Sequence, residues 1–378
     1  MKRDTRLIHS GRPDGEAGYV NPPVGRASTV LAPSTEELYR PTPPRRHYGR
    51  GGVSPNGELR GALCALCDAD HCALASSGLA AVVLAIRTAI QGPGEALITD
   101  SVYGPVRRFC DEELPRLAVT PRYYDPRAGA DIAEMTSDQT RLILLESPGS
   151  LTFEVQDIAA ITKAAKAVGA ATVIDDTWSA GWTMNPLDHG VDFAAQALTK
   201  YVGGHSDFLA GSVTARGQAA ERLKARESLY GQHVSPDDAF LALRGFRTLS
   251  LRMERSGVSG LILAERLQSH DRVADVLHPA LPESQDNTLY NRYFSGPAGC
   301  FSIVLDDVTA RQGEAIAEKL SLFAMGFSWG GFESLVLPCD RQIKRTAIPW
   351  TAEGALLRFA VGLEDVEDLW ADLEQALS

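Results

Sequence analysis

No run of eighteen apolar residues occurs in this chain, so no membrane-spanning helix is expected. Cysteine is sparse, six in 378 residues. Without a secretory signal, so few thiols in so long a chain read as reduced cysteines rather than a disulfide framework. The opening MKRDTRLIHSGRPDG has no apolar core and no small-residue cleavage site, so a signal peptide is not expected and the setting reads as cytoplasmic. Basic charge is in deficit: 37 Lys and Arg stand against 48 Asp and Glu, a net charge of -11. Such a surface repels nucleic acid and anionic membrane on average, and neither is expected as a partner. A local basic pocket for a phosphate remains compatible with that balance. Neither G-x-G-x-x-G nor G-x-x-x-x-G-K-[ST] is present, which argues against a Rossmann or P-loop nucleotide site. Internal repeats and low-complexity tracts are missing as well.

What is present suffices for two packed domains: 44% of the residues are hydrophobic, and the length allows two cores. The first fifty residues stand apart. They are rich in Pro, Gly and Arg (NPPVGR, RPTPPRRHYGRGG) and show no sustained periodicity, as expected of a tail or of an arm that packs on another subunit. From Glu58 onward strand and helix alternate. The pattern predicts helix Glu58–Asp68, strand Cys72–Ala75, helix Leu79–Ile90, strand Ala96–Thr99 and a helix near Pro105–Glu113. A strand near Arg141–Glu146, helix Asp157–Val168 and the buried strand Ala171–Asp175 follow. This alternation implies an α/β fold with a mainly parallel sheet covered on both faces. After about Arg247 the order loosens into helix Arg252–Ser269, strand Cys300–Leu305, helix Gln312–Leu322 and helix Val366–Leu377. The expected division is an arm over 1–50, a large domain over 51–246 and a smaller α+β domain over 247–378.

Two segments carry the chemistry. In an open α/β sheet, ligands bind outside the carboxyl ends of the strands. Asp175 ends the apolar strand in VIDDTW, and Lys200 follows the short apolar stretch in ALTKY, so both can reach that rim. A carboxylate and an amine there suit a pyridine aldehyde cofactor, the acid holding the ring nitrogen protonated and the amine bonding to the aldehyde. An ordinary ion pair or a solvated lysine is the plainer alternative. The second segment is SSGLAA: small residues opening a long apolar helix leave free N–H groups where the helix dipole favours an anion. Gly78 would let the backbone approach a phosphate closely. A plain N-cap by Ser77 is the alternative there.

Other polar groups invite less. Cys64, Cys67, His71 and Cys72 form C-x-x-C-x-x-x-H-C, too cramped for two separated zinc-ligand pairs and partly within a helix whose apolar face is marked by Leu63 and Leu66. No metal site is expected. His205 reads as a structural partner near the site, and the acidic run Glu364–Asp372 as a solvated helix face.

The chain resembles the Cys/Met-metabolism, pyridoxal-phosphate-dependent enzymes, and within them the bacterial cystathionine β-lyase branch. The likeness rests on VNPPVGRASTV, HYGRGG, SSGLAA, DSVYGPVRRFC, IDDTWSAG, LTKYVGGHSD, FSWGGFESL and LLRFAVGLEDVEDLWADL, in that order and along essentially the whole length. It implies the aspartate-aminotransferase-like fold (type I), with a seven-stranded sheet and a smaller second domain. It further implies that pyridoxal 5'-phosphate is bound covalently by Lys200, with Asp175 at the ring nitrogen and Tyr103 on the ring face. Gly78, Leu79 and Thr199 would hold the phosphate, joined by Tyr48 and Arg50 from a neighbouring subunit. Arg358 would clamp the substrate carboxylate, a geometry guanidinium suits, and Ser328 with Trp329 would line the substrate pocket. Lys200 and Tyr103 would be the catalytic pair.

The implied reaction is β-elimination of L-cystathionine to homocysteine, pyruvate and ammonia, with a sulfur amino acid as the small-molecule partner. A cysteine S-conjugate β-lyase, a γ-acting relative or a non-catalytic homologue are the rival readings. A homo-oligomer is implied, at least a dimer and by resemblance a tetramer. Two departures stand out. The γ-acting branch usually has Ser two residues before the threonine, where Gln196-Ala197-Leu198 stands here, and the β-lyase branch often has Tyr where Phe327 and Phe332 stand. Phe327-Ser328-Trp329 also replaces the Glu-Ser-Leu common in γ-acting enzymes, which favours β-elimination.

Overall fold

Short apolar strands that alternate with amphipathic helices can bury both faces only inside a covered sheet. The computed structural model, which describes residues 1–13, 18–40 and 48–378, takes that solution. Seven strands, β1 (His71–Ala75), β2 (Gly94–Thr99), β3 (Val119–Tyr124), β4 (Thr140–Glu146), β5 (Ala171–Asp175), β6 (Phe193–Ala197) and β7 (Gly211–Ala215), form one sheet in the order β1-β7-β6-β5-β4-β2-β3. Strand β7 runs antiparallel to both its neighbours, and the other pairs are parallel. Period-2 alternation divides the side chains between two cores. Leu142 and Leu144 enter the core under helix Gly78–Ala89, while Ile143 and Leu145 enter the opposite one.

A second sheet gathers β8 (Val273–Leu277), β9 (Cys300–Leu305), β10 (Ala324–Met325), β11 (Leu335–Pro338) and β12 (Leu356–Ala360) in the order β10-β11-β12-β9-β8. Its own core includes Phe301, Ile303, Phe323, Phe359 and Leu373. The α/β architecture with a seven-stranded sheet and a smaller second sheet agrees with the expectation, including its mainly parallel character. No described helix is long and apolar enough to cross a membrane.

Several elements differ from the sequence reading. The first helix of the large sheet region begins at Asn56 and ends at Cys67, with Asp68 in a left-handed cap. The helix read over Gln312–Leu322 spans Ala310–Ala317. It stops early because the N–H groups of Ser321, Leu322 and Phe323 donate to the Asp372 carboxylate at 2.7 to 3.2 Å. That contact also corrects the reading of Glu364–Asp372 as a solvated face: Asp372 is buried, and Glu364 accepts from the Ser334 N–H and hydroxyl, both at 2.8 Å. In the cysteine-rich stretch, Cys67 and Cys72 are buried, and His71 Nε2 lies 3.0 Å from Glu227. No cluster able to hold a metal occurs among the described residues.

Candidate active site

The carboxyl ends of the parallel strands form the rim that positions the site. Glu146 and Asp175 close β4 and β5 in direct register, and Asp175 also pairs with Ala195 of β6. Between this rim and the second sheet lies a cavity of about 450 Å³.

Lys200 sits in the turn after β6. Its N–H donates to Ala197 O at 3.2 Å, and its carbonyl accepts from Gly204 at 2.8 Å, which fixes the side chain toward the cavity. Its Nζ donates to Ser328 Oγ at 2.6 Å and stands 5.4 Å from the Trp329 ring centre. Burial and then the Arg358 charge lower this amine to about 8. At the end of β5, Asp175 accepts from the Thr177 N–H at 3.0 Å and hydroxyl at 2.5 Å through Oδ1 alone, so among the described residues Oδ2 is left without a donor. Burial pushes this carboxyl up, against the pull of Thr177 and Lys200.

Helix Gly78–Ala89 starts at the same rim. Ser77 caps it, accepting from the Ala80 N–H at 3.1 Å. The Gly78 and Leu79 N–H groups have no acceptor among the described residues, and both residues line the cavity. Only glycine allows this approach, since a Cβ at position 78 would lie 2.4 Å from the Ala197 methyl. Thr199 also lines the cavity, yet its hydroxyl exchanges hydrogen bonds with Ala210, donating at 3.2 Å and accepting at 3.1 Å.

Tyr103 opens helix Gly104–Glu113 with its half-exposed ring on the cavity wall and its N–H donating to Glu146 Oε2 at 2.7 Å. Burial, then Asp175 and Glu146, raise its phenol. From the second sheet, Arg358 of β12 reaches the cavity and donates through Nη2 to Ser328 O at 2.9 Å, while its buried Nε has no partner among the described residues. Ser328 holds φ +106, a backbone state rare outside glycine. Trp329 meets Tyr201 edge-on at 5.4 Å.

Nine of the residues singled out from sequence therefore meet around one cavity: Lys200, Asp175, Gly78, Leu79, Thr199, Tyr103, Arg358, Ser328 and Trp329. Tyr48 and Arg50 do not line it. Both are exposed, Tyr48 forming a short bridge with Thr29 and Arg50 lying in the turn Gly49–Gly51. His205 is also off the lining, with Nδ1 2.7 Å from Gly203 O.

Sequence reasoning missed Glu146, Thr177, Cys300 and Gln342 on the lining. Glu146 was detectable by the rule that found Asp175, an acid ending the apolar run LILLE. Burial and then Asp175 drive its carboxyl well upward. A half-buried acid with one free oxygen, a half-buried amine of lowered pKa, and two helix N–H groups and a guanidinium nitrogen without partners among the described residues together fit pyridoxal phosphate and an amino-acid carboxylate.

Comparison with known proteins accords with this geometry. The family described as Cys/Met metabolism PLP-dependent enzyme matches residues 4–378. A protein of Rhizobium johnstonii named putative cystathionine beta-lyase is 42% identical, over 99% of this chain and 96% of its own. Cystathionine beta-lyase MetC of Escherichia coli is 39% identical, over 99% of this chain and 97% of its own. The crystal structure of metB from Corynebacterium glutamicum superposes with a TM-score of 0.92 at 28% identity, over 100% of this chain and 98% of that one. With matches along its full length in sequence and in fold, the chain belongs to the pyridoxal-phosphate-dependent enzymes of cysteine and methionine metabolism.

Proposed function

We propose that this protein is a carbon–sulfur lyase that cleaves the β C–S bond of L-cystathionine, releasing homocysteine, pyruvate and ammonia. The observation that carries the reading is the convergence of Lys200, Asp175 and Arg358 on one cavity. It is supported by full-length similarity to proteins named cystathionine beta-lyase. When bound, pyridoxal phosphate supplies an aldehyde for the lysine and a protonated ring that withdraws electrons from the substrate α-carbon.

The residues divide the remaining work. Asp175 would hold the proton at the ring nitrogen. The N–H groups of Gly78 and Leu79, aided by the helix dipole and Thr199, bind the phosphate. Tyr103 would cover the ring face. Arg358 grips the α-carboxylate as a bidentate fork and so aims the α-hydrogen at the lysine. Lys200 would take that proton at its Nζ, and its pKa, lowered to about 8, would let part of the amine be neutral for that role. Loss of that proton would allow the β-thiolate to leave, and water would take the three-carbon remainder to pyruvate and ammonia. Ser328 and Trp329 shape the pocket around the amine.

No cation of this subunit other than Lys200 and Arg358 lines the cavity among the described residues. The phosphate therefore wants further donors, and we assign them to Tyr48 and Arg50 of a neighbouring copy. This makes the working unit at least a dimer, in our reading a tetramer, acting in the cytoplasm. Residues 1–50 would be the arm, 51–246 the cofactor domain and 247–378 the second domain.

Phe327, where γ-acting relatives carry an acid, supports β- over γ-cleavage. The apolar mouth built by Phe327 and Leu209, 80% and 66% exposed, also favours a second reading, cleavage of cysteine S-conjugates with apolar leaving groups. Product analysis decides. Purified protein with L-cystathionine should yield pyruvate, and 2-oxobutyrate in its place would overturn the β assignment. Turnover of S-alkyl cysteines with none of cystathionine would select the second reading.

A further inference from the structure

The loop joining β11 to β12 belongs to the second sheet, yet its middle is pinned to the rim of the first. Asp100, the residue after β2, is 0% exposed. Its carboxylate receives three successive backbone N–H groups of that loop, from Thr346 at 2.9 Å, Ala347 at 2.8 Å and Ile348 at 3.1 Å. The Thr346 hydroxyl donates to it at 3.2 Å, and the buried Arg107 guanidinium closes the set. Next in the loop, Arg345 donates to the Asp100 carbonyl, to Thr152 Oγ1 and, at 3.2 Å, to Glu154 Oε1. The Arg345 and Glu154 side chains are only 9% and 8% exposed. Two buried cations and two buried acids thus join the two sheets, and no charge in the set is left unpaired.

Both ends of this junction abut the proposed active site. The loop carries Gln342 on the cavity wall and runs directly into β12, which bears Arg358. The segment that Arg345 grips supplies Gly149, Leu151 and Phe153 to the same wall. Leu151 and Phe153 hold φ +68 and +59, left-handed states that side chains adopt only when neighbours enforce them. Ser302 Oγ donates to Leu151 O at 2.7 Å, a second tie from the smaller sheet to this segment. None of Asp100, Arg107, Arg345 or Glu154 lines the cavity.

We propose that Arg345 and Asp100 are positioning residues that set the substrate-facing wall of the cavity, by latching the β11–β12 loop and the 149–153 segment against the first sheet. The proposal rests on the reading of this cavity as the lyase site. It separates the two halves of the site: Lys200 and the helix start at Gly78 lie on the first sheet and do not depend on the latch, whereas the wall facing the substrate does.

The test uses the full-length holoenzyme with Arg345→Met, Arg345→Lys and Asp100→Asn. Displacement of a substrate wall by about an ångström costs on the order of 100-fold in kcat/KM. Arg345→Met should lose that much, mainly through KM, with the visible absorption of the lysine-bound cofactor unchanged. Arg345→Lys keeps the charge but cannot reach three acceptors at once, so its loss should be intermediate. Should Asp100→Asn not fold, the Arg345 pair reads the latch alone. Hydrogen exchange at the amides of residues 346–348, slow in the parent, should speed at least tenfold in Arg345→Met and in folded Asp100→Asn. A KM within twofold of the parent, or exchange unchanged in Arg345→Met, overturns the proposal. If the parent itself fails to cleave sulfur amino acids, the functional reading falls instead, and exchange at 346–348 still reports whether the latch holds the loop.

Discussion

Replacing Arg358 perturbs two things at once, and the structure assigns a sign to each. The guanidinium is buried and, among the described residues, is held by one bond to Ser328 O at 2.9 Å with its Nε unpartnered. A bidentate clamp on a carboxylate comprises two charge-assisted hydrogen bonds, and losing it costs about 3–5 kcal/mol. Arg358→Met should therefore lower kcat/KM by about 10²- to 10⁴-fold, at 1.36 kcal/mol per decade. Arg358→Lys keeps a charge but not the fork, so its loss should be smaller yet still above tenfold. The second effect falls on Lys200, lowered to about 8 by burial and then by the Arg358 charge. Removing that charge lets the amine hold its proton to higher pH, while burial keeps the shift partial. Only the neutral amine attacks the cofactor aldehyde. The rate at which apoprotein captures pyridoxal phosphate should rise through about pH 8 in the parent. The rise should come at higher pH in Arg358→Met and should stay near the parent's position in Arg358→Lys. A stopped-flow capture series across pH, with steady-state kinetics beside it, measures both. A parent-like KM in the Met variant, or a profile moved to lower pH, would refute the reasoning.

Gly78→Ala places a Cβ 2.4 Å from the Ala197 methyl, so the helix start must move and cofactor affinity should fall about tenfold or more; fluorescence titration with an unchanged Kd would show that the N–H cradle is not the phosphate site. Asp372→Ala strands the N–H groups of Ser321, Leu322 and Phe323 and should cost about 3 kcal/mol, measured as a lower midpoint in urea unfolding; a parent-like midpoint would refute that role. If the proposed site is shared between subunits, mixing Lys200→Ala with Arg50→Ala subunits should regain activity in hybrids that hold one intact site. If the mixture stays as inactive as its components, Arg50 does not act across the interface.

How much of this was legible in the residues depended on whether local pattern and tertiary need agree. Asp175 and Lys200 could be placed because apolar strands deliver their last residue to a common rim, and the alternation of elements makes that sheet parallel. Glu146 obeys the same rule; LILLE simply lacked a motif to draw attention to it. The second sheet was harder. Strand β10 has two residues and β8 is half exposed, so neither shows the periodicity of a buried strand. Asp372 misled for a different reason. Its acidic neighbours are those of a solvated face, whereas the N–H groups that need it lie some fifty residues away in sequence. The latch at Asp100 and Arg345 was invisible for the same cause, since its partners come together only when the two sheets are packed.

The chemistry of this site depends on where the cofactor is bound. Reducing the pyridoxal-phosphate-loaded enzyme with borohydride, digesting it and sequencing the labelled peptide by mass spectrometry tests this directly. The label should fall on Lys200 alone, and be missing from a Lys200→Ala variant that also has no turnover. A label on another lysine, or none in a protein that still cleaves L-cystathionine, would contradict it.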